Sequence, residues 1–155
     1  MILTLVLGAL PAAAEHRTPQ RGDAELERLS IELAKATEEL RDEFTESHRS
    51  WRFHRPDTLK TLDRLERDAK RFHRRVERNG VNDPATHRAF RQLESSFNAA
   101  NERFPALKSR LGIRRDFARV ARLMERVETR MARIDQQRDH RRRASHDHDG
   151  DHADG

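Results

Sequence analysis

Residues 113–134, IRRDFARVARLMERVETRMARI, carry apolar side chains at Ile113, Phe117, Val120, Met124, Val127, Met131 and Ile134. The steps between them alternate between four and three, which on a helix of 3.6 residues per turn draws a single apolar stripe. Arginine and glutamate occupy much of the rest. Such a helix gains most of its stability by burying its stripe against partners, so the upstream sequence has to supply them.

Three further stripes are present. The first runs Leu26, Leu29, Leu33, Ala36, Leu40, Phe44 and then Trp51; the second runs Leu59, Leu62, Leu65, Ala69, Phe72, Val76; the third runs Phe90, Leu93, Phe97, Ala100, Phe104. Punctuation falls between them. Pro56-Asp57 separates the first two, with Asp57 or Thr58 expected as N-cap. Asn79-Gly80-Val81-Asn82 offers residues that tolerate the left-handed conformation at a helix C-terminus, and Asp83-Pro84 is an acidic cap followed by proline at the first helical position. Pro105 ends the third segment. Gly112 is expected to break the chain before the fourth, with Leu107 and Leu111 covering one end of the fold.

These signals predict an all-α fold: an antiparallel up-down-up-down four-helix bundle over residues 23–143 with coiled-coil-like seams. Charge agrees with that order. From Asp23 to Glu46 nine acidic residues stand against three basic ones, and from Arg114 to Arg143 eleven arginines stand against five acids. The first and fourth helices, neighbours in this topology, are therefore complementary, although exposed pairs of this kind contribute only about 0–1 kcal/mol each. Phe90, Phe97 and Phe104, seven residues apart, are expected in the core rather than around a ligand cavity, and Met124 and Met131 read as flexible core fillers.

The opening run, MILTLVLGALPAAA, reads as a signal peptide over residues 1–14 with cleavage before Glu15 at an A-x-A site. No Lys or Arg precedes its apolar segment; the alternative is a first strand or helix of the fold. Ten apolar residues are too few to span a hydrocarbon core. Residues 15–22 then form a linker. With no cysteine, disulfides, thiolate metal sites and c-type haem attachment are excluded. A periplasmic or secreted protein is the expectation.

The 155-residue chain has a net charge of +5 and a pI near 10.5, and all but Lys35, Lys60, Lys70 and Lys108 of its 32 basic residues are arginine. Nucleic acid is a poor match for this charge, because much of the arginine faces an acidic helix and few aromatic rings remain to stack bases. An envelope protein or an anionic polymer is the expected partner. Arg49, Arg52 and Arg55 beside Trp51 and Phe53 form the expected contact cluster; its plainer explanation is cations at the negative end of a helix dipole. A second copy of the chain could also pair through the regular stripes.

Residues 144–155 include SHDHDGDHADG and are expected to form a disordered His/Asp-rich tail. Imidazole and carboxylate are suitable donors for Zn, Cu or Ni, so His146, Asp147, His148, Asp149, Asp151 and His152 are candidate ligands. The expected topology brings His73, His87 and His140 to the same end as the tail, with Asp83 placed to orient His87. His48 and His54 belong to the other end. No Glu-x-x-His pair of a di-iron bundle, nucleophile elbow, H-E-x-x-H or phosphate-binding loop occurs. The functional expectation is an exported, non-enzymatic helical bundle acting as a binding or scaffold module in the cell envelope; the alternative is a divalent-metal buffer or sensor using the tail.

Overall fold

A computed structural model describes residues 21–49, 56–103 and 111–148. Four helices make up the described residues, with no strand among them: α1 (Arg21–Arg49), α2 (Pro56–Asn79), α3 (Pro84–Arg103) and α4 (Leu111–His148). No helix among the described residues is long and apolar enough to cross a membrane. The segments expected to form the signal peptide (1–14), most of the linker (15–22) and the end of the tail (149–155) lie outside the described residues.

Three of the four stripes supply most of the core, with Leu59, the first position of the second stripe, only partly buried. Leu26, Leu29, Leu33, Ala36, Leu40 and Phe44 of α1 are buried, as are Leu62, Leu65, Ala69, Phe72 and Val76 of α2. Every position of the α4 stripe from Ile113 to Ile134 is buried too, joined by Leu123. The third stripe differs. The buried face of α3 is Thr86, Ala89, Leu93, Ser96 and Ala100, while Phe90 and Phe97 are only half-buried against the core. They serve at the seams: Phe90 meets Phe72 at 5.7 Å between ring centroids, and Phe97 stacks on Phe117 at 5.8 Å. Phe104, Trp51 and Leu107 lie outside the described residues.

The closest helix-to-helix backbone approaches are α1 with α2, α2 with α3 and α1 with α4. Cross-helix pairs fix their registers. Between α1 and α2, Ser30 meets His73, Lys70 Nζ lies 2.9 Å from Glu38, and Arg41 Nε lies 3.1 Å from Asp63. Residue numbers therefore fall on one helix as they rise on the other. Hydrogen bonds to Glu66 and Glu38 raise the Lys70 pKa above its ordinary value. Between α1 and α4, Glu39 pairs with Arg119, and Glu25 with Arg130 at 3.3 Å. The complementary charge of these two helices is thus used in direct ion pairs.

The α2–α3 turn follows its sequence signals. Gly80 takes a φ of 74°, and its amide donates to Val76 O at 3.0 Å. Asp83 Oδ1 accepts from the Ala85 amide at 2.6 Å, so the acid caps α3 as expected. The buried Thr86 hydroxyl donates back to Gly80 O at 2.8 Å and fastens the turn to the helix.

Four boundaries depart from expectation. The first helix, α1, begins at Arg21, inside the expected linker. Pro56 is already helical, so Asp57 stands in the first turn of α2 rather than at its cap. Gly112 does not break the chain but lies in the first turn of α4, where a Cβ would come within 3.0 Å of Glu43 Oε1. Its missing side chain permits close approach to α1. Finally, α4 continues to His148, so residues 144–148, read as the start of a disordered tail, have helical backbone. A helix in water needs no apolar stripe when earlier turns already nucleate it. Since Asp135 faces His87 near the start of α3, residues 139–148 extend about 15 Å past the other helices.

Candidate functional site

An open concave surface lies between α2 and α3. Arg64, Arg71 and Arg75 of α2 form one wall and Arg88 and Arg91 of α3 the other; Ala85, Ala89, Gln92 and Ser95 complete an open groove of about 710 Å³. Helical spacing explains the alignment. Positions 64, 71 and 75 are separated by two turns and then one, which places them in one row beside the buried Leu65, Phe72 and Val76. On α3 the small Ala85 and Ala89 leave room between the two rows of guanidinium groups.

Five arginines here meet one carboxylate. Asp68, 9% exposed at its side chain, lies 3.8 Å from Arg64 and 3.9 Å from Arg71. Arg71 also donates to Gln92 Oε1 at 2.8 Å across the groove. Among the described residues Arg75, Arg88 and Arg91 have no ion pair. Asp83 lies within electrostatic reach of Arg75 and Glu94 within reach of Arg91, yet the lining itself is positive, its five arginines exceeding the one paired carboxylate by four. Guanidinium groups offer forked donors suited to oxyanions. A second, smaller concavity between α1 and α4 mixes Glu25 and Glu125 with Arg126, Arg130 and Arg133, and its own Glu25–Arg130 pair satisfies part of its charge.

The histidines read as a shared metal site sit in different seams. His73 is turned toward α1, its Nδ1 3.0 Å from Ser30 Oγ. The same hydroxyl lies 2.7 Å from Glu27 O, so His73 and the α1 backbone share one serine oxygen. His87 is turned toward α4, its Nδ1 3.7 Å from Asp135 Oδ1. Asp83, expected to orient it, is instead held by the Ala85 amide and by Asn79 at 3.2 Å, because the N-cap takes its carboxylate. His140 is exposed on the extension of α4. No three His, Asp or Glu side chains among the described residues converge to hold a metal ion.

Of the remaining candidate ligands, His146, Asp147 and His148 have described backbone only, on the last turn of α4; Asp149, Asp151 and His152 lie outside the described residues. The expected basic cluster around Trp51 also falls outside the described residues, apart from the backbone of Arg49.

The arginine groove was not read from the sequence. Its signal was present in the 64, 71, 75 spacing, but which helix would form the opposite wall depends on the assembled fold.

Fold and groove define an all-α four-helix protein with a basic cleft on one face. No protein family, no curated protein and no solved structure matches the chain.

Proposed function

We propose that the protein is an exported, non-enzymatic binding module of the cell envelope, an up-down-up-down bundle that holds an anionic partner in the α2–α3 groove. The observation that carries this reading is the arginine-rich lining: three arginines without a direct ion pair and two that share the single carboxylate of Asp68. The opposed residue order across the seams supports the topology. Support for export comes from the apolar Met1–Ala14 run with its A-x-A site, and a periplasmic or extracellular address follows from it.

The binding reading is tested by salt release. At low ionic strength the mature protein is expected to sediment with envelope particles, and at 1 M salt, where the Debye length is about 3 Å, to return to the supernatant. An Arg71→Gln/Arg75→Gln variant should stay in the supernatant at both. Sedimentation unchanged by salt would refute a charge-based site. Sequencing the mature amino terminus tests export: a soluble cytoplasmic protein beginning at Met1 would refute it.

A second reading, a divalent-metal buffer or sensor, draws on the donor-rich residues 146–152 and on the helical extension that carries the start of this stretch clear of the bundle.

A further inference from the structure

We infer that the occupant of the α2–α3 groove is a linear phosphate polymer without nucleobases, bound along the groove through several consecutive phosphates; this rests on the groove being the binding site. Three features point there. The first is length: Arg64 and Arg75, at the ends of the α2 wall, are eleven helical residues apart, about 16 Å along the axis. An elongated site with charges along its whole length matches a chain of anions better than a single one.

The second is the disposition of donors. Guanidinium groups approach from two helices on opposite sides of the groove. A planar carboxylate receives a fork in its own plane, whereas the tetrahedral oxygens of a phosphate can accept from both walls together. All five cations are arginine, the side chain that presents such forks.

The third is shape and lining. Ala85 and Ala89 lie between the arginine rows, so the surface is concave, and a flat bilayer would touch only its rims. No large apolar side chain among the lining residues is available to enter a membrane, and no aromatic ring is available to stack a base. The polymer is therefore recognised by its charge and phosphate geometry alone.

The test is calorimetric, with the mature full-length chain and four probes: inorganic polyphosphate, poly-aspartate and single-stranded DNA of matched charge, and vesicles containing anionic phospholipid. Polyphosphate is expected to bind at least tenfold more tightly than poly-aspartate. With four net charges engaged, its affinity should fall about 50-fold between 50 and 200 mM salt. An Arg75→Gln/Arg88→Gln variant should lose at least tenfold in affinity with an unchanged circular dichroism spectrum, while Arg122→Gln, an exposed change on α4, should bind as the parent does.

Equal affinity for poly-aspartate would overturn the phosphate assignment and leave the groove as an anion site. Tighter binding of DNA than of polyphosphate would transfer the site to nucleic acid, and tighter binding of vesicles would transfer it to a lipid surface; either overturns the inference. Binding of polyphosphate unaffected by Arg75→Gln/Arg88→Gln, or no binding of any probe at 50 mM salt, would overturn both the inference and the groove reading beneath it.

Discussion

His87 Nδ1 lies 3.7 Å from Asp135 Oδ1 across the α3–α4 seam, while His87 Nε2 is buried without a hydrogen-bond partner among the described residues. The imidazole thus fills space at a helix junction but leaves one polar atom unsatisfied. Leaving such an atom buried costs about 1–3 kcal/mol. His87→Leu removes it and keeps an apolar contact, so the variant is expected to be more stable by about 1 kcal/mol, read as a higher urea midpoint with an unchanged slope. A lower midpoint would show that the ring nitrogen contributes more than its burial costs.

The same seam holds a second unfavourable group. Burial raises the pKa of Glu94 above its ordinary value, and the charge of Glu128 adds to the effect, with Arg91 opposing it. Protonation is therefore tighter in the folded state. The penalty is absent at low pH, begins as pH rises past the unfolded value of about 4.3 and is complete above the folded one. Glu94→Gln should match the parent in melting temperature at pH 3.5 and exceed it at pH 7. Equal melting temperatures at both would remove this explanation.

Asp83 has the opposite sign. Its pKa is lowered by the Ala85 amide first and then by Asn79, so its contribution is present above the unfolded value of about 3.9 and is lost as pH falls through the folded one. Asp83→Ala should melt below the parent at neutral pH, with the gap narrowing in acid. A gap independent of pH would assign the loss to helix capping without charge.

Gly80 has no heavy atom within 4 Å of an added Cβ, but its φ is +74°. Space is free and only conformation resists substitution. Gly80→Ala should cost about 1 kcal/mol, the strain of a left-handed L-residue, measured by chemical denaturation. A neutral result would mean that the turn readjusts.

For metals, calorimetry with Zn, Cu and Ni should find no binding tighter than millimolar in a chain ending at Arg143, because His73 and His87 serve separate seams. Any micromolar binding by the full chain should depend on residues 144–155. Micromolar binding that survives truncation but disappears in His87→Ala would contradict this.

The seven stripe positions of α4 are legible because each is a large apolar residue, which periodicity detects; Leu123, beside Met124, joins them outside the 4-3 rhythm. On α3 the same method favoured Phe90 and Phe97, the largest side chains, and underweighted Thr86 and Ser96. Those two polar residues are buried because their hydroxyls donate to the carbonyls of Gly80 and Leu93, a local satisfaction that hydrophobic pattern does not register. The low helix propensity of glycine makes Gly112 look like a breaker, yet its proximity to Glu43 comes from a tertiary contact. Sequence order groups His73 and His87 near the α2–α3 turn, but the seam each faces depends on rotation about the helix axis. The arginine groove is hidden for the same reason: one wall is visible in one helix, and a groove requires two.

The extension of α4 has a hydrodynamic consequence. At 38 residues α4 is about 57 Å long, against about 30 Å for the 20 residues of α3, so one helix sets the longest dimension of the described fold. Rotation about that axis is faster than rotation of the axis itself. Amide vectors of α4, which lie nearly along it, should therefore report the slowest tumbling in the molecule by nitrogen-15 relaxation, making this helix an internal gauge of whether the extension moves as one rod with the bundle.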